Sequence, residues 1–280
     1  MRAESIDKIQ GYLDWMTRRW WFLSALALAN FLIPSYVPRA YQPQEIPGII
    51  EAVLSNPLIY KFPALMVLAK LIPIALIAAV VLLGGKAARL FDLYAAVLLF
   101  ALALFQNMAF TEKYGFVILW SNVVSIMVVA IFWAWEAIAA KNDFTATKQP
   151  LWSYWVIPAA FLAFWFPVET SSITPKFSIL ELFTNEAGLT LCMMLPVFLA
   201  VLSLYYPNVN RATFRVTSFV GMIFGSLNLV TWFLLKPSMW WMGVLHLPLF
   251  GISIHAFSLS MTRPGRAASG AAGIDSGRQV

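Results

Sequence analysis

Residues 62–83 read FPALMVLAKLIPIALIAAVVLL, an apolar run interrupted by one charge, Lys70. A helix needs about 20 such residues to cross hydrocarbon, where it must satisfy its own backbone polar groups. The run is unbroken rather than alternating, which excludes a strand of a membrane barrel. Seven further segments follow the same rule: Trp20–Val37, Leu90–Phe110, Tyr114–Ile138, Leu151–Val168, Ala187–Tyr205, Phe214–Leu235 and Ser238–Met261. The pattern predicts an all-α, polytopic membrane protein with eight transmembrane helices. The first and fifth are short and stop near Pro34 and Pro167.

Composition agrees. Of 280 residues, 61% are hydrophobic and only 11% charged, against about a quarter charged in soluble domains. A mean hydropathy of +0.76 excludes an ordinary soluble domain and a disordered chain. The net charge of +6 comes from scattered residues, so no nucleic-acid partner is expected; the lipid bilayer is. A single cysteine, Cys192, excludes an internal disulfide and a cysteine-built zinc or iron–sulfur site.

Orientation follows from Lys and Arg, which accumulate on the cytoplasmic face. Arg2, Lys8, Arg18 and Arg19 precede the first segment, and Arg263, Arg266 and Arg278 follow the last. Lys86, Arg89, Lys141, Lys148, Arg211 and Arg215 fall on the same side. The other side has only Arg39, Lys61, Lys113, Lys176 and Lys236. Both termini are therefore expected in the cytoplasm of a cell-membrane protein. Ile6, Ile9, Leu13 and Met16 recur at helical spacing among charges, which suits a helix lying on the membrane surface over 1–18. No cleavable leader is expected, since that stretch has no apolar core. The Gly-, Ala- and Ser-rich tail, 263–280, reads as disordered.

The two halves, 19–140 and 151–262, read as copies of a four-helix unit joined by a linker over 141–150. Residues 47–56 (PGIIEAVLSN) and 175–185 (PKFSILELFTN) stand at equivalent places, each before a helix containing a proline, Pro73 or Pro196. Asn107 then falls opposite Asn228, and Asn122 opposite His246. Four crossings per unit give both copies one orientation, as in parallel-repeat transporters.

Ionisable and amide groups in hydrocarbon are costly and mark cavities or partners. Lys70, His246 and Asn122 each lie eight residues inside their segment, roughly 12 Å at 1.5 Å per residue. Asn107 and Asn228 lie near the same outer ends. These five, Lys70, Asn107, Asn122, Asn228 and His246, are the candidate ligand-binding residues, and Lys70 would favour an anionic ligand group. Interhelical hydrogen bonding worth about 1 kcal/mol each would explain them equally simply one by one. Met239, Met242 and His246 share a helix face and form a weak candidate set for a soft metal such as Cu(I). His255 is on the opposite face from His246, which argues against a bis-His haem; no cofactor is indicated. Asp92 and Glu136 stand at helix ends and are expected to reach interfacial water. Gly221 and Gly225 permit close helix packing.

No nucleotide loop, zinc-protease or nucleophile-elbow motif occurs. The expected function is a small-molecule carrier with a polar site in the outer half of the membrane between the repeats. The alternatives are a non-catalytic membrane subunit bound to another membrane protein and, least favoured, a lipid-modifying enzyme using His246. The carrier reading asks that the five side chains share one hollow.

Overall fold

The computed structural model describes residues 3–169 and 173–262; Arg2, Arg263, Arg266, Arg278 and the tail expected to be disordered lie outside them. The protein is mostly helical, and among the described residues five helices are long and apolar enough to cross a membrane: Ala64–Leu83, Gly85–Gln106, Trp120–Ala139, Arg211–Leu235 and Pro237–Met261.

In chain order, α1 (Ala3–Thr17) precedes α2 (Trp20–Leu32), α3 (Ile46–Ser55), α4 (Pro63–Leu83) and α5 (Gly85–Ala101). A hairpin of β1 (Met108–Thr111) and β2 (Gly115–Ile118) leads to α6 (Trp120–Ala139). Then come α7 (Val156–Trp165), β3 (Val168–Glu169), β4 (Thr174–Pro175), α8 (Glu181–Thr184) and α9 (Leu191–Leu204). The chain finishes with α10 (Arg211–Val230) and α11 (Trp240–Met261). The end of the bundle that holds α1 and Met261 is called proximal below, and the opposite end distal.

The remaining three apolar segments are helical but differ from single long spans. The first is the 13-residue α2, and the fifth is an apolar helix over Leu151–Trp165. The latter stops because Phe166 adopts a left-handed backbone (φ 44°) before Pro167, a combination that cannot continue a helix. The sixth is bent by 98° between Glu181–Leu189 and Leu191–Leu204.

The third and fourth segments, expected to reach Phe110 and to start at Tyr114, are shorter because their ends form a hairpin. Met108 pairs with Ile118 and Thr111 with Gly115, and Gly115 takes a φ of 75° that glycine tolerates at no steric cost. Ala109 and Val117 of the hairpin bury against Ile49 and Val53 of α3, making a small distal core separate from the main one. Tyr36, just past α2, adds a bridge to Ile118.

The main core runs between the long helices. Phe91, Trp133 and Phe198 meet with ring centroids 5.5–6.0 Å apart, joining α5, α6 and α9. Close approach of α10 and α11 depends on glycine: a Cβ at Gly225 would lie 2.9 Å from Phe250 Cα.

Candidate functional site

Lys70 is fully buried on α4. Its ammonium donates to the Phe164 carbonyl in the last turn of α7 and lies 4.4 Å from the Phe164 ring centre. A short helix leaves its final carbonyls without intrahelical donors, and their partial negative charge favours a cation there. Asn185 completes the cap, donating to the Trp165 carbonyl (2.9 Å) and the Phe166 carbonyl (2.8 Å). Lys70 is thus held at a helix end that is itself inside the bundle.

His246, also buried, stands just past that end. Its ring meets Phe166 and Trp232 with centroids 6.5 and 6.2 Å away. Its Nδ1 is 2.8 Å from the Met242 carbonyl, which fixes the ring on its own helix.

The amides behave locally. Asn107 donates to the Leu102 carbonyl (2.9 Å), capping the π-helical turn that ends the α5 span, and accepts from Asn122 Nδ2 at 3.0 Å. Asn228 donates to the Phe224 carbonyl (2.8 Å) and approaches Cys192 Sγ at 3.5 Å. So Asn107 and Asn122 meet directly, Lys70 and His246 flank the end of α7, and Asn228 stands apart. Each is engaged by this chain in this conformation. Neither the surface cleft beside Gly11, Trp15 and Arg19 nor the one between α5 and α6 touches any of the five. Met239 and Met242 pack with Val168 and Leu245 in an apolar cluster, and no group of three or more His, Cys, Asp or Glu assembles among the described residues.

A second polar assembly, at the proximal end, was not anticipated. Asp92 and Glu136, expected to reach water, are both fully buried. Asn142 Nδ2 donates to Asp92 Oδ1 (2.8 Å), while the Asn142 backbone N–H donates to Glu136 Oε1 (2.5 Å). Asn210 Nδ2 donates to Glu136 Oε2 (2.5 Å), and its backbone N–H donates to Asn142 Oδ1 (2.7 Å). Asn210 also caps α10 and exchanges amide hydrogen bonds with Gln10 of α1 at 2.9 Å. Asp92 Oδ2 is left without a donor. Arg215, counted from the sequence among the cytoplasmic-side cations, is buried between α1 and α11, donating to Thr17 Oγ1 (2.6 Å) and the Ser260 carbonyl (3.0 Å). One of these roles had a local signal: asparagine ahead of an apolar run, as in Asn210, is a helix N-cap pattern. The contacts between loop, α1 and carboxylates had none.

Outside the spans, α3 is tied down by ion pairs. Glu45 meets Lys113 at 2.9 Å and Glu51 meets Lys236 at 2.5 Å. The Gln42 backbone N–H and then Lys113 hold the Glu45 carboxyl below its ordinary range. Burial, opposed by the Thr190 hydroxyl 2.9 Å away, raises the phenol of Tyr60, which links the loop before α4 to the one before α9.

No known family, curated protein or solved structure matches this chain.

Proposed function

We propose that this chain is a small-molecule carrier of the cell membrane, crossing it eight times with both termini cytoplasmic. The observation that carries the reading is the buried Lys70 ammonium on the end of the short helix α7. Unusually short segments at corresponding places in two halves point to a transporter's binding site, and half-helix ends there hold charged groups. Here the short segments are α2 and the Leu151–Trp165 helix, the first apolar helix of each half.

The repeat over 19–140 and 151–262 is supported by element order. Each half runs from a short apolar helix through an extramembrane helix and a 3₁₀ turn to a proline-containing helix. A helix ending in a π-helical turn and a last long helix complete both halves. The same partners pack in each, α5 with α6 and α10 with α11, α2 with α6 and α7 with α11.

In this reading the present conformation is closed. Lys70 and His246 are the ligand-facing groups once the end of α7 moves away, and the ligand has an anionic group to replace the carbonyl on Lys70. Asn107, Asn122 and Asn228 hold the surrounding helix turns. Uptake of small anions into proteoliposomes should fall at least about ten-fold in Lys70→Ala, the cost of losing one charged hydrogen bond, with a smaller loss in His246→Ala. Unchanged flux of a transported anion in both variants removes this site.

A non-catalytic subunit is the second reading, favoured by Ile46, Ile50 and Leu54. They form an exposed apolar stripe on the extramembrane helix α3, beside its buried Ile49 and Val53. A fixed membrane-protein partner co-purifying in mild detergent, and lost on Ile50→Asp, would support that reading instead.

A further inference from the structure

A cleft of about 340 Å³ opens on the outer surface between α5 and α6, lined by neither Lys70 nor the buried carboxylates. Its walls are Leu93, Val97 and Phe100 on α5 and Ala134, Ala137 and Ile138 on α6. Leu93, Val97 and Ile138 stand exposed beside it, while Ala96 forms a buried floor. The one charged residue lining it is Arg89, in the first turns of α5 at the proximal end.

We infer that this groove binds an anionic phospholipid, with the phosphate on Arg89 and one acyl chain along α5. From Arg89 to Phe100 a helix rises about 16 Å at 1.5 Å per residue. That is close to half of a ~30 Å hydrocarbon core, the depth of one leaflet. Arg89 therefore stands at headgroup level and the Phe100 ring near the midplane, so the groove has the length of a chain in the proximal leaflet. Alanines leave the groove deep enough to seat a chain; larger residues would fill it.

The charge fits the same occupant. The Arg89 guanidinium is exposed and makes no hydrogen bond or ion pair with the described residues, in contrast to the buried Arg215 in the same end of the bundle. A guanidinium matches phosphate oxygens in a two-point geometry, and basic groups between helices at a membrane face recruit anionic headgroups. Lys86, exposed three residues earlier on the same helix, adds to the positive field. The inference does not depend on the carrier reading, because it concerns the lipid-facing surface only.

The test uses the full chain in nanodiscs of equimolar phosphatidylglycerol and phosphatidylcholine, followed by native mass spectrometry of the retained lipid. Wild type should keep phosphatidylglycerol in excess. Arg89→Ala should lose about five-fold of that excess, the effect of one basic residue at an anionic surface, and Arg89→Lys should keep most of it. Ala134→Leu should lower retention of both lipids alike by filling the groove. Equal retention of the two lipids by wild type, or an undiminished excess in Arg89→Ala, would overturn the assignment.

Discussion

The polar groups at the two ends of the bundle are organised in opposite ways. At the distal end, Asn107, Asn228 and His246 bond carbonyls four or five residues back on their own helix. At the proximal end, Glu136 and Asn142 join α5, α6, the connecting loop and α10, and Asn210 carries the connection on to α1, 200 residues away in the chain. These three distal groups finish their own helices, while Lys70 and Tyr60 at the same end each make a single link to another element; the proximal groups fasten several elements together in one network.

The largest expected effect is therefore proximal. Glu136→Ala strands the Asn142 N–H and the Asn210 amide in a buried site, which should cost about 3 kcal/mol. Thermal unfolding in detergent measures this, and Asn210→Ala in the Glu136→Ala background should add much less than it does alone. Additive losses would mean that the two side chains are not one unit. At the distal end Asn107→Ala should cost about 1–2 kcal/mol, since it removes a helix-end cap and the partner of Asn122 without separating any helices. A loss as large as that of Glu136→Ala would abolish the contrast.

The smallest effect is at the exposed Glu45–Lys113 pair. Glu45 titrates below its unfolded value, so its contribution is fully present above that value and is lost as pH falls through the folded one. Hydrogen-exchange protection factors in α3 and the β1–β2 hairpin, corrected for the intrinsic pH dependence of amide exchange, should thus be flat from about pH 5 to pH 8 and fall only below about pH 4. A loss of protection on the alkaline side instead would show that another group governs the distal cap.

The contrast also explains what could be read from the chain alone. Apolar length finds the five long helices because a bilayer imposes it, and Lys70 and His246 stand out because hydrocarbon makes such residues rare. Counting depth along each segment brought five residues to one level but said nothing of azimuth, and it cannot tell a helix cap from a ligand group. The hairpin was hidden because Met108–Phe110 and Tyr114–Ile118, on either side of the polar Thr111–Lys113, are apolar enough to extend the flanking helices; only Asn107 and Gly115 mark the true breaks. Asp92 and Glu136 were misjudged for a related reason. Near helix ends they should meet water, but the 141–150 loop folds back over them, and Asn142 comes into place through tertiary contacts that no local pattern encodes.

The carrier reading, the lipid groove and the contrast itself all require the two ends to lie on opposite faces of one membrane. Impermeant thiol labelling in a Cys192→Ser background tests this directly, with Glu112→Cys in the hairpin turn and Lys148→Cys in the loop after α6, both exposed positions. The account predicts that Lys148→Cys reacts only from the cytoplasmic side and Glu112→Cys only from the outside. Labelling of both from the same side would contradict it.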